Sequence, residues 1–576
     1  MSIAIEEKSQ STPPKSPLVG QSGAHVLEAL LREQGADLVF GYPGAAVIPL
    51  FDVLYDSTIR CIQPRHEQGA AHMADGFARS TGKVGVCIAT SGPGATNLVT
   101  GIATANMDSV PMVAITGQVK SHLLGNDAFQ EADMTGITRP ITKYNRQVTK
   151  VEELPRAIRE AFHIARTGRP GPVLVDICVD ATTAKLPADH QAAISLPGYR
   201  PAGIPPQRQI QLAADTINAA KRPVFYVGGG VIASGAHALV RQIAHQAQIP
   251  VTTTLMAMGA MDETDLYSLR MLGMHGSAIA NHAVQNSDCL IAVGARFDDR
   301  VTGNLATFAP HAKIIHIDID PSSISKTVRA DIPLAGDAAA ILARLQPLLH
   351  RADRSPWMTQ VTQWQQQYPF RYAPSTDGTI KPQQVIESVA RLTNHDAIIC
   401  TGVGQHQMFT AQYYGFRRPR QFISSGGLGT MGYGVPAAIG AQFGNLGATV
   451  IDIDGDGSFS MTMNEVITAV RYQQPAKFIV LDNSYLGMVR QWQQLFWNRR
   501  YSGVEQMPVD YCAIAKAYGA AGFAASASCE LDDAIKAMLQ HEGPAVLHVK
   551  VEREENVYPM VPAGAALHEM RYGTLA

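Results

Sequence analysis

Short apolar runs rich in β-branched residues alternate, through almost the whole chain, with stretches whose apolar positions recur every three or four residues. LVFGYPG, VGVCIATSGPG, PMVAITGQ and PVLVDIC have strand length, and most end in glycine or polar turns; ALLREQGA, AHMADGFARSTG and LPRAIREAFHIARTG carry helical spacing. This alternation predicts parallel α/β sheets. Two stretches break it. The proline-rich LPGYRPAGIPPQRQ (196–209) reads as a linker, and so does the polar stretch 351–382 containing WQQQYPFRYAPSTDGTIKP. The expectation is an α/β chain with three doubly wound parallel-sheet domains at 23–188, 209–345 and 381–576, the last ending in a tail. Linkers fall at 189–208 and 346–380, and ligands are expected at the carboxyl ends of strands. Residues 1–22 lack an apolar segment, and Glu6 and Glu7 argue against a transit peptide, so they read as a disordered polar tail.

Composition narrows the function classes. The 576 residues are 46% hydrophobic and 17% charged, enough for several full cores. A formal net charge of −2 gives no reason to expect nucleic acid or an anionic membrane as partner. The seven cysteines are scattered without CxxC spacing, as reduced thiols of a cytoplasmic protein would be. No apolar run is long enough to span a membrane.

The chemistry concentrates in the last third. ATVIDID is a strand candidate, and Asp456 lies just beyond it, between Gly455 and Gly457. MTMNEVITAVRYQQ supplies a crossover helix and AKFIVLD the next parallel strand, with Asn483 at its end, 27 residues after Asp456. A right-handed crossover returns both side chains to one sheet edge. A carboxylate and an amide oxygen suit a hard cation such as Mg²⁺, which commonly shares its ligands with phosphates. The N–H groups of Gly457 and Ser458, opening the helix, can hold phosphate oxygens. A lone GDG could equally be a β-turn built on Asp and Gly; the whole unit of GDGS, helix and a second strand ending in Asn favours the metal–diphosphate site.

GDGSFSMTMNEVITAVRYQQPAKFIVLDN resembles the thiamine diphosphate motif, in which GDG precedes Asn at this spacing. The resemblance implies Mg²⁺ ligation by Asp456, Asn483 and a backbone carbonyl near Tyr485. That cofactor requires a carboxyl group hydrogen-bonded to its aminopyrimidine, and RHEQGAAHMADGFAR offers Glu67 at a helix start. A carboxyl in a dry pocket has a raised pKa and can share a proton in this way. Taken alone, Glu67 would read as a first-turn carboxylate favoured by the helix dipole. In such enzymes the acid and the diphosphate site come from different subunits, so the resemblance implies a homodimer or tetramer.

Over residues 23–565 the chain resembles the large catalytic subunits of acetolactate (acetohydroxyacid) synthase. GYPGAAVIPLFD, ATSGPGATNLVTGIATA, AITGQV, DAFQEAD, GRPGPVLVDI, LGMHG, GARFDDRVTG, HIDIDP, GQHQM, GGLGTMGYG and LGMVRQWQQLF occur in that family's order. GARFDDR and LGMVRQW place the likeness with the biosynthetic, FAD-containing type. The resemblance implies pyrimidine- and diphosphate-binding domains flanking a Rossmann-like FAD domain. It implies decarboxylation of pyruvate on thiamine diphosphate and ligation of the hydroxyethyl group to a second 2-ketoacid, pyruvate or 2-ketobutyrate, in valine, leucine and isoleucine synthesis. A small regulatory subunit is a further partner seen with such enzymes. Carried over by position, Glu67 activates the cofactor, Gln405 and His406 contact the diphosphate, and Gly429 and Met431 hold the pyrimidine, Met431 as an apolar wedge. Phe129 and Gln130 line the pyruvate pocket. Arg300 binds the carboxylate of the second 2-ketoacid, as a guanidinium does bidentately; without its motif it would read as a partner of Asp298 or Asp299. Trp492 contacts the extra methyl of 2-ketobutyrate, beside Met488; without the family both would be packing residues.

In the middle domain, PVFYVGGGV ends a strand in Gly228, Gly229 and Gly230, and GARFDD follows CLIAVGA. Neither matches G-x-G-x-x-G, and by spacing alone a structural turn is as good a reading. The resemblance adds FAD contacts from Arg169, the three glycines, Thr254, Leu255, Gly273, His275, Gly294, Arg296 and Asp318. The chemistry moves no net electrons, so the flavin is expected to be structural. Two departures stand out. Val179 occupies the place of a family lysine, and Ala45 that of a glycine. Two alternatives follow: a pyruvate oxidase or simple decarboxylase, which needs neither Arg300 nor Trp492, and a catalytically impaired paralogue, motivated by Val179.

Overall fold

The computed structural model describes residues 17–188, 194 and 196–573, and gathers the apolar runs into three parallel six-stranded sheets. The first comprises β1 (Leu38–Gly41), β2 (Arg60–Ile62), β3 (Gly85–Ala89), β4 (Met112–Gln118), β5 (Tyr144–Val148) and β6 (Pro172–Cys178), in the order β2-β1-β3-β4-β6-β5. The second comprises β7 (Pro223–Val227), β8 (Val251–Thr253), β9 (Ser268–Met271), β10 (Cys289–Val293), β11 (Lys313–Asp318) and β12 (Ile332–Ala335), in the order β12-β11-β10-β7-β8-β9. The third comprises β13 (Ile398–Thr401), β14 (Phe422–Ser424), β15 (Val450–Gly455), β16 (Lys477–Asp482), β17 (Ala521–Ala525) and β18 (Ala545–Lys550), in the order β14-β13-β15-β16-β18-β17.

The outer two sheets share one topology, with the order reversing between the first and third strand of each. The middle sheet has the 3-2-1-4-5-6 order of dinucleotide-binding folds, reversing between β7 and β10. Ligand crevices open at such switch points, beyond the carboxyl ends of the strands.

The first and third units share a core. The helix Glu67–Thr81 lies against the helix Gly434–Gly444, and glycines permit the close approach: a Cβ at Gly76 would strike Ala437 O, and one at Gly440 would strike Met73 O. Buried polar groups reinforce this contact. Arg79 lies between Asp75 (2.5 Å) and Asp108 (2.9 Å) and donates to Ser424 O (2.8 Å), while Tyr433 Oη donates to Asp75 (2.5 Å).

Three expectations change. Residues 1–16 lie outside the described residues, but Leu18 is buried and Ser22 bridges to Lys185, so 17–22 pack on the first unit. The stretch 346–380 holds the helix Ser355–Gln367, whose Trp357 and Val361, four residues apart, enter the middle core. Before it, buried Arg354 donates to the carbonyls of Ile217, Ala220 and Ala247, closing two helix ends. The segment after β18 folds back on the middle unit, where Val561, Leu567 and Met570 pack with Tyr226, Leu290 and Phe297. No helix among the described residues is long and apolar enough to cross a membrane.

Candidate active site

The cleft at the β13/β15 switch point is built by two turns and a loop. β13 leads into Val403, Gly404, Gln405 and His406; β15 into Gly455, Asp456, Gly457 and Ser458; β16 into Asn483 and the run Tyr485–Val489. With Met431 these residues line one cavity. Of the sequence-predicted residues, Gln405, His406, Met431, Asp456, Gly457, Ser458, Asn483, Tyr485 and Met488 therefore meet there. Gly429 lies at the start of the Met431 turn, with φ +71°, a conformation suited to glycine.

Asp456 begins the helix Asp456–Thr462 and is 3% exposed. Its Oδ2 has no hydrogen-bond partner, and burial, with the charge of Asp482 adding, pushes its pKa up to about 8. A buried carboxylate oxygen without a partner, beside an amide, is a donor set that fits a hard cation. The approach is cleared by glycine: a Cβ at Gly487 would strike Gln405 Oε1 and come 2.8 Å from Asn483 Nδ2, and one at Gly457 would strike Leu486.

The loop after β16 is fixed from below. Asp482 Oδ1 accepts from Ser484 N (2.9 Å), and His548 Nε2 lies 2.8 Å from Asp482 Oδ2. Asn483 Oδ1 accepts from Tyr485 N (3.0 Å), and Asn483 Nδ2 points at Gln405 Oε1 (3.4 Å). Gln405 Nε2 donates to Gln491 and to Glu555 O, both at 2.8 Å. Burial draws His406 down to about 3, keeping the ring neutral beside Asp454 (3.2 Å). Burial also raises the Asp452 and Asp454 carboxyls, Asp452 further through Asp454.

Glu67, Gln130 and Phe129 do not line this cleft; they lie on the first unit. Glu67 opens its helix, half-buried, and accepts from Asn97 Nδ2 (3.0 Å). Its Oε1 would lie 3.2 Å from a Cβ on Gly94, and Gln130 Cβ 2.9 Å from one on Gly92, so both side chains border the Gly92–Gly94 turn. Gln130 has φ +60°, in the left-handed region, and Phe129 is 89% exposed.

Arg300 and Trp492, from different units, come together: the guanidinium lies 5.9 Å from the indole centroid, within cation–π range. Arg300 is 3.8 Å from the exposed Asp299, so the ion pair is a loose surface one.

The predicted flavin residues lie around the β7/β10 switch point and nearby strand ends. Gly228–Gly230 follow β7, and the Cα of Gly230 sits where a Cβ on Gly294 would be crowded at 2.6 Å. Thr254 and Leu255 follow β8, Gly273 and His275 follow β9, and Arg296 follows β10. Asp318 ends β11, its pKa raised to about 6 by burial. Arg169 reaches this edge through Asp320 (3.4 Å). Thr254 Oγ1 and His275 Nδ1 are buried without hydrogen-bond partners, polar atoms suited to a ligand.

Ala45 has no positive φ and opens a 3₁₀ turn, so its methyl carries no backbone cost. Val179 starts the short helix Val179–Thr183, next to Asp180, which Ser121 contacts (2.5 Å). The sequence reading met Asp482 only as the neighbour of Asn483 and passed over Glu465 inside the same motif; His548, on β18, lies outside any motif. Among the described residues, Asp510, Cys512 and His548 also bring ligand atoms within 4.8 Å, but each already has a partner: Ala513 N, Phe523 O and Asp482 respectively.

Three family models match the chain in order: the thiamine pyrophosphate enzyme N-terminal TPP binding domain over 21–137, the central domain over 210–345 and the C-terminal TPP binding domain over 402–549. Among curated relatives, the chain is 50% identical to the acetolactate synthase large subunit of Corynebacterium glutamicum, over 96% of this chain and 90% of that one. It is 47% identical to the mitochondrial acetolactate synthase catalytic subunit of Saccharomyces cerevisiae (96% and 84% covered). It is 44% identical to the large subunit of acetolactate synthase isozyme 3 of Escherichia coli (95% and 98% covered).

Proposed function

The chain belongs to the acetolactate synthase catalytic-subunit family of thiamine pyrophosphate enzymes, and from that premise we propose that it condenses two 2-ketoacids with loss of CO₂. The products are 2-acetolactate from two pyruvates, or 2-aceto-2-hydroxybutyrate when 2-ketobutyrate is the acceptor. The observation that carries this reading is the cleft in which the unpartnered Asp456 oxygen, Asn483 and the Gly457–Ser458 helix start face one another.

Asp456, Asn483 and the Tyr485 carbonyl would hold Mg²⁺, with Gln405, Gly457 and Ser458 around the diphosphate. Thiamine diphosphate, when bound, supplies the electron sink for decarboxylation. Met431 projects an apolar side chain into the cleft. Glu67 supplies the carboxyl for the pyrimidine, from a second copy of the chain, because it lies off the cleft of its own. A homodimer is thus the smallest complete catalyst. Gln130 and Phe129 would approach the same chemistry from that second copy and help keep water out, which favours ligation over protonation. The Arg300–Trp492 pair favours a carboligase over a simple decarboxylase: a guanidinium for the acceptor's carboxylate lies beside an apolar face for its alkyl group.

FAD at the β7/β10 edge has a structural role in this reading. A small regulatory subunit and a cytoplasmic setting complete it. Purified protein with pyruvate, Mg²⁺ and thiamine diphosphate, with and without 2-ketobutyrate, tests the proposal. Acetolactate is expected; acetaldehyde, or peroxide, as the main product would refute it. Glu67→Gln should abolish turnover.

A further inference from the structure

The crossover that joins Asp456 to Asn483 does more than connect two strands. In its middle is the 3₁₀ turn Met463–Glu465, and Glu465 is 1% exposed. Its carboxylate leaves its own unit and reaches the backbone just ahead of Glu67. Oε1 accepts from Arg65 N (3.0 Å) and His66 N (3.0 Å); Oε2 accepts from Arg65 N (2.9 Å) and from Thr468 Oγ1 (2.8 Å). The side chain fills a place left by glycine, since a Cβ on Gly69 would strike the Glu465 carboxylate.

The neighbouring residues act on the same turn. Tyr472 Oη accepts from Gln63 N (2.9 Å), and Arg471 donates to Gln63 Oε1 (2.5 Å). Pro64 has no N–H. Every backbone N–H of the turn Gln63–His66 is therefore spent on the crossover. These donors end at a helix start, where the first N–H groups have no partner within the helix. An ionised carboxylate, acceptor at every lone pair, satisfies three donor groups at once; an amide would turn N–H against N–H. Burial lifts the Glu465 pKa to about 7, opposed by the bonds from Arg65, Thr468 and His66.

We propose that Glu465 is a positioning residue for Glu67, its carboxylate setting the backbone turn that aims Glu67, from within the segment that also carries the metal-binding pair. The proposal rests on the reading of Glu67 as the acid that meets the cofactor's ring. It has a consequence for the pair of sites in a dimer. The crossover lining the cleft of one copy aims the acid that serves the other, so the two clefts are linked through one side chain.

The test uses the full-length protein with thiamine diphosphate and Mg²⁺ and no substrate. Three quantities are measured: exchange of the cofactor's C2 proton for deuterium by quenched-flow NMR, the affinity for the cofactor, and thermal stability. Glu67→Gln, Glu465→Gln and Thr468→Val are compared with the parent. Misplacement of a reacting group by an ångström can cost about a hundredfold. Glu465→Gln is therefore expected to slow exchange by about tenfold or more while cofactor affinity stays at the parental level. Thr468→Val, which removes one of the bonds to Glu465, should give a smaller loss in the same direction, and it carries the test if Glu465→Gln does not fold. If Glu67→Gln stops exchange but Glu465→Gln and Thr468→Val exchange like the parent, the proposal is overturned and the role of Glu67 survives. If Glu67→Gln exchanges like the parent, the reading beneath the proposal is what fails. A parallel loss of exchange, affinity and stability in Glu465→Gln would show a merely structural role and overturn the proposal as well.

Discussion

Arg79→Met probes the contact between the first and third units and the loop it supports. The guanidinium donates to Asp75 at 2.5 and 3.4 Å, to Asp108 at 2.9 Å and to Ser424 O at 2.8 Å, and lies over the Tyr433 ring at 5.4 Å. Its side chain is 9% exposed and both aspartate side chains are fully buried. Methionine keeps the apolar stem but leaves two buried carboxylates without their cation. Removing one partner from a buried ion pair costs about 3–5 kcal/mol. Asp108 retains Gly426 N (3.0 Å) and Gly427 N (2.8 Å) and Asp75 retains Tyr433 Oη. Asp75, whose pKa burial already raises, can also take up a proton, so the lower end, about 3 kcal/mol, is expected. The lost Ser424 anchor also loosens the 424–431 loop that carries Met431 into the cleft. Urea unfolding should therefore show an earlier first transition, and thiamine diphosphate half-saturation should rise in the same variant. A loss below about 1 kcal/mol with half-saturation unmoved would refute the reasoning.

Other expected outcomes follow from the same geometry. Gly487→Ala places a methyl between Gln405 and Asn483 and should weaken Mg²⁺-dependent cofactor binding, read by titration calorimetry, with little change in unfolding midpoint. Glu263 is buried with its pKa raised to about 7, chiefly by burial, from an ordinary value of 4.5. The folded state then holds the proton that the unfolded state releases, so stability falls as pH rises from about 4.5 to 7. Glu263→Gln should gain up to about 3 kcal/mol over the parent at pH 8 and nothing near pH 4, measured by urea titration across pH. Trp492→Ala should lower the preference for 2-ketobutyrate over pyruvate as acceptor by roughly tenfold in a competition assay, with pyruvate self-condensation reduced less.

The strands buried on both faces were legible: β3, β4 and β16 as largely apolar runs, β6 as one broken only by Asp176, and β15 as isoleucines alternating with Asp452 and Asp454 ahead of a glycine turn. The short or polar edges were not: β2 exposes Arg60, and β5 reads Tyr-Asn-Arg-Gln-Val. The helix Gly434–Gly444 escapes periodicity because nearly all of it is buried, so no polar face marks its turn. The helix Ser355–Gln367 was hidden in polar sequence with one narrow apolar stripe, Trp357 and Val361. In the site, the Asp456–Asn483 spacing was readable from chain order and crossover handedness alone. Glu67 required the family resemblance, because a first-turn glutamate is ordinary. Glu465 gave no sign of this role, since the backbone groups it holds are 400 and 399 residues away.

The segment that folds back after β18 bears on how the protein is made. Val561, Leu567 and Met570 cover part of one face of the middle sheet, Val561 N donates to Met274 O (2.8 Å), and Tyr572 stacks on Tyr368 at 5.4 Å. On the ribosome, domains acquire structure from the N-terminal side first. Here the middle domain leaves the exit tunnel with the helices Ala278–Asn286 and Ser355–Gln367 already on that face but the patch beneath Val561, Leu567 and Met570 open, and it stays open until the third domain has been translated. Its last layer is laid down only when residues 557–572 emerge, so a nascent chain stalled short of them presents an apolar surface for chaperones to shield.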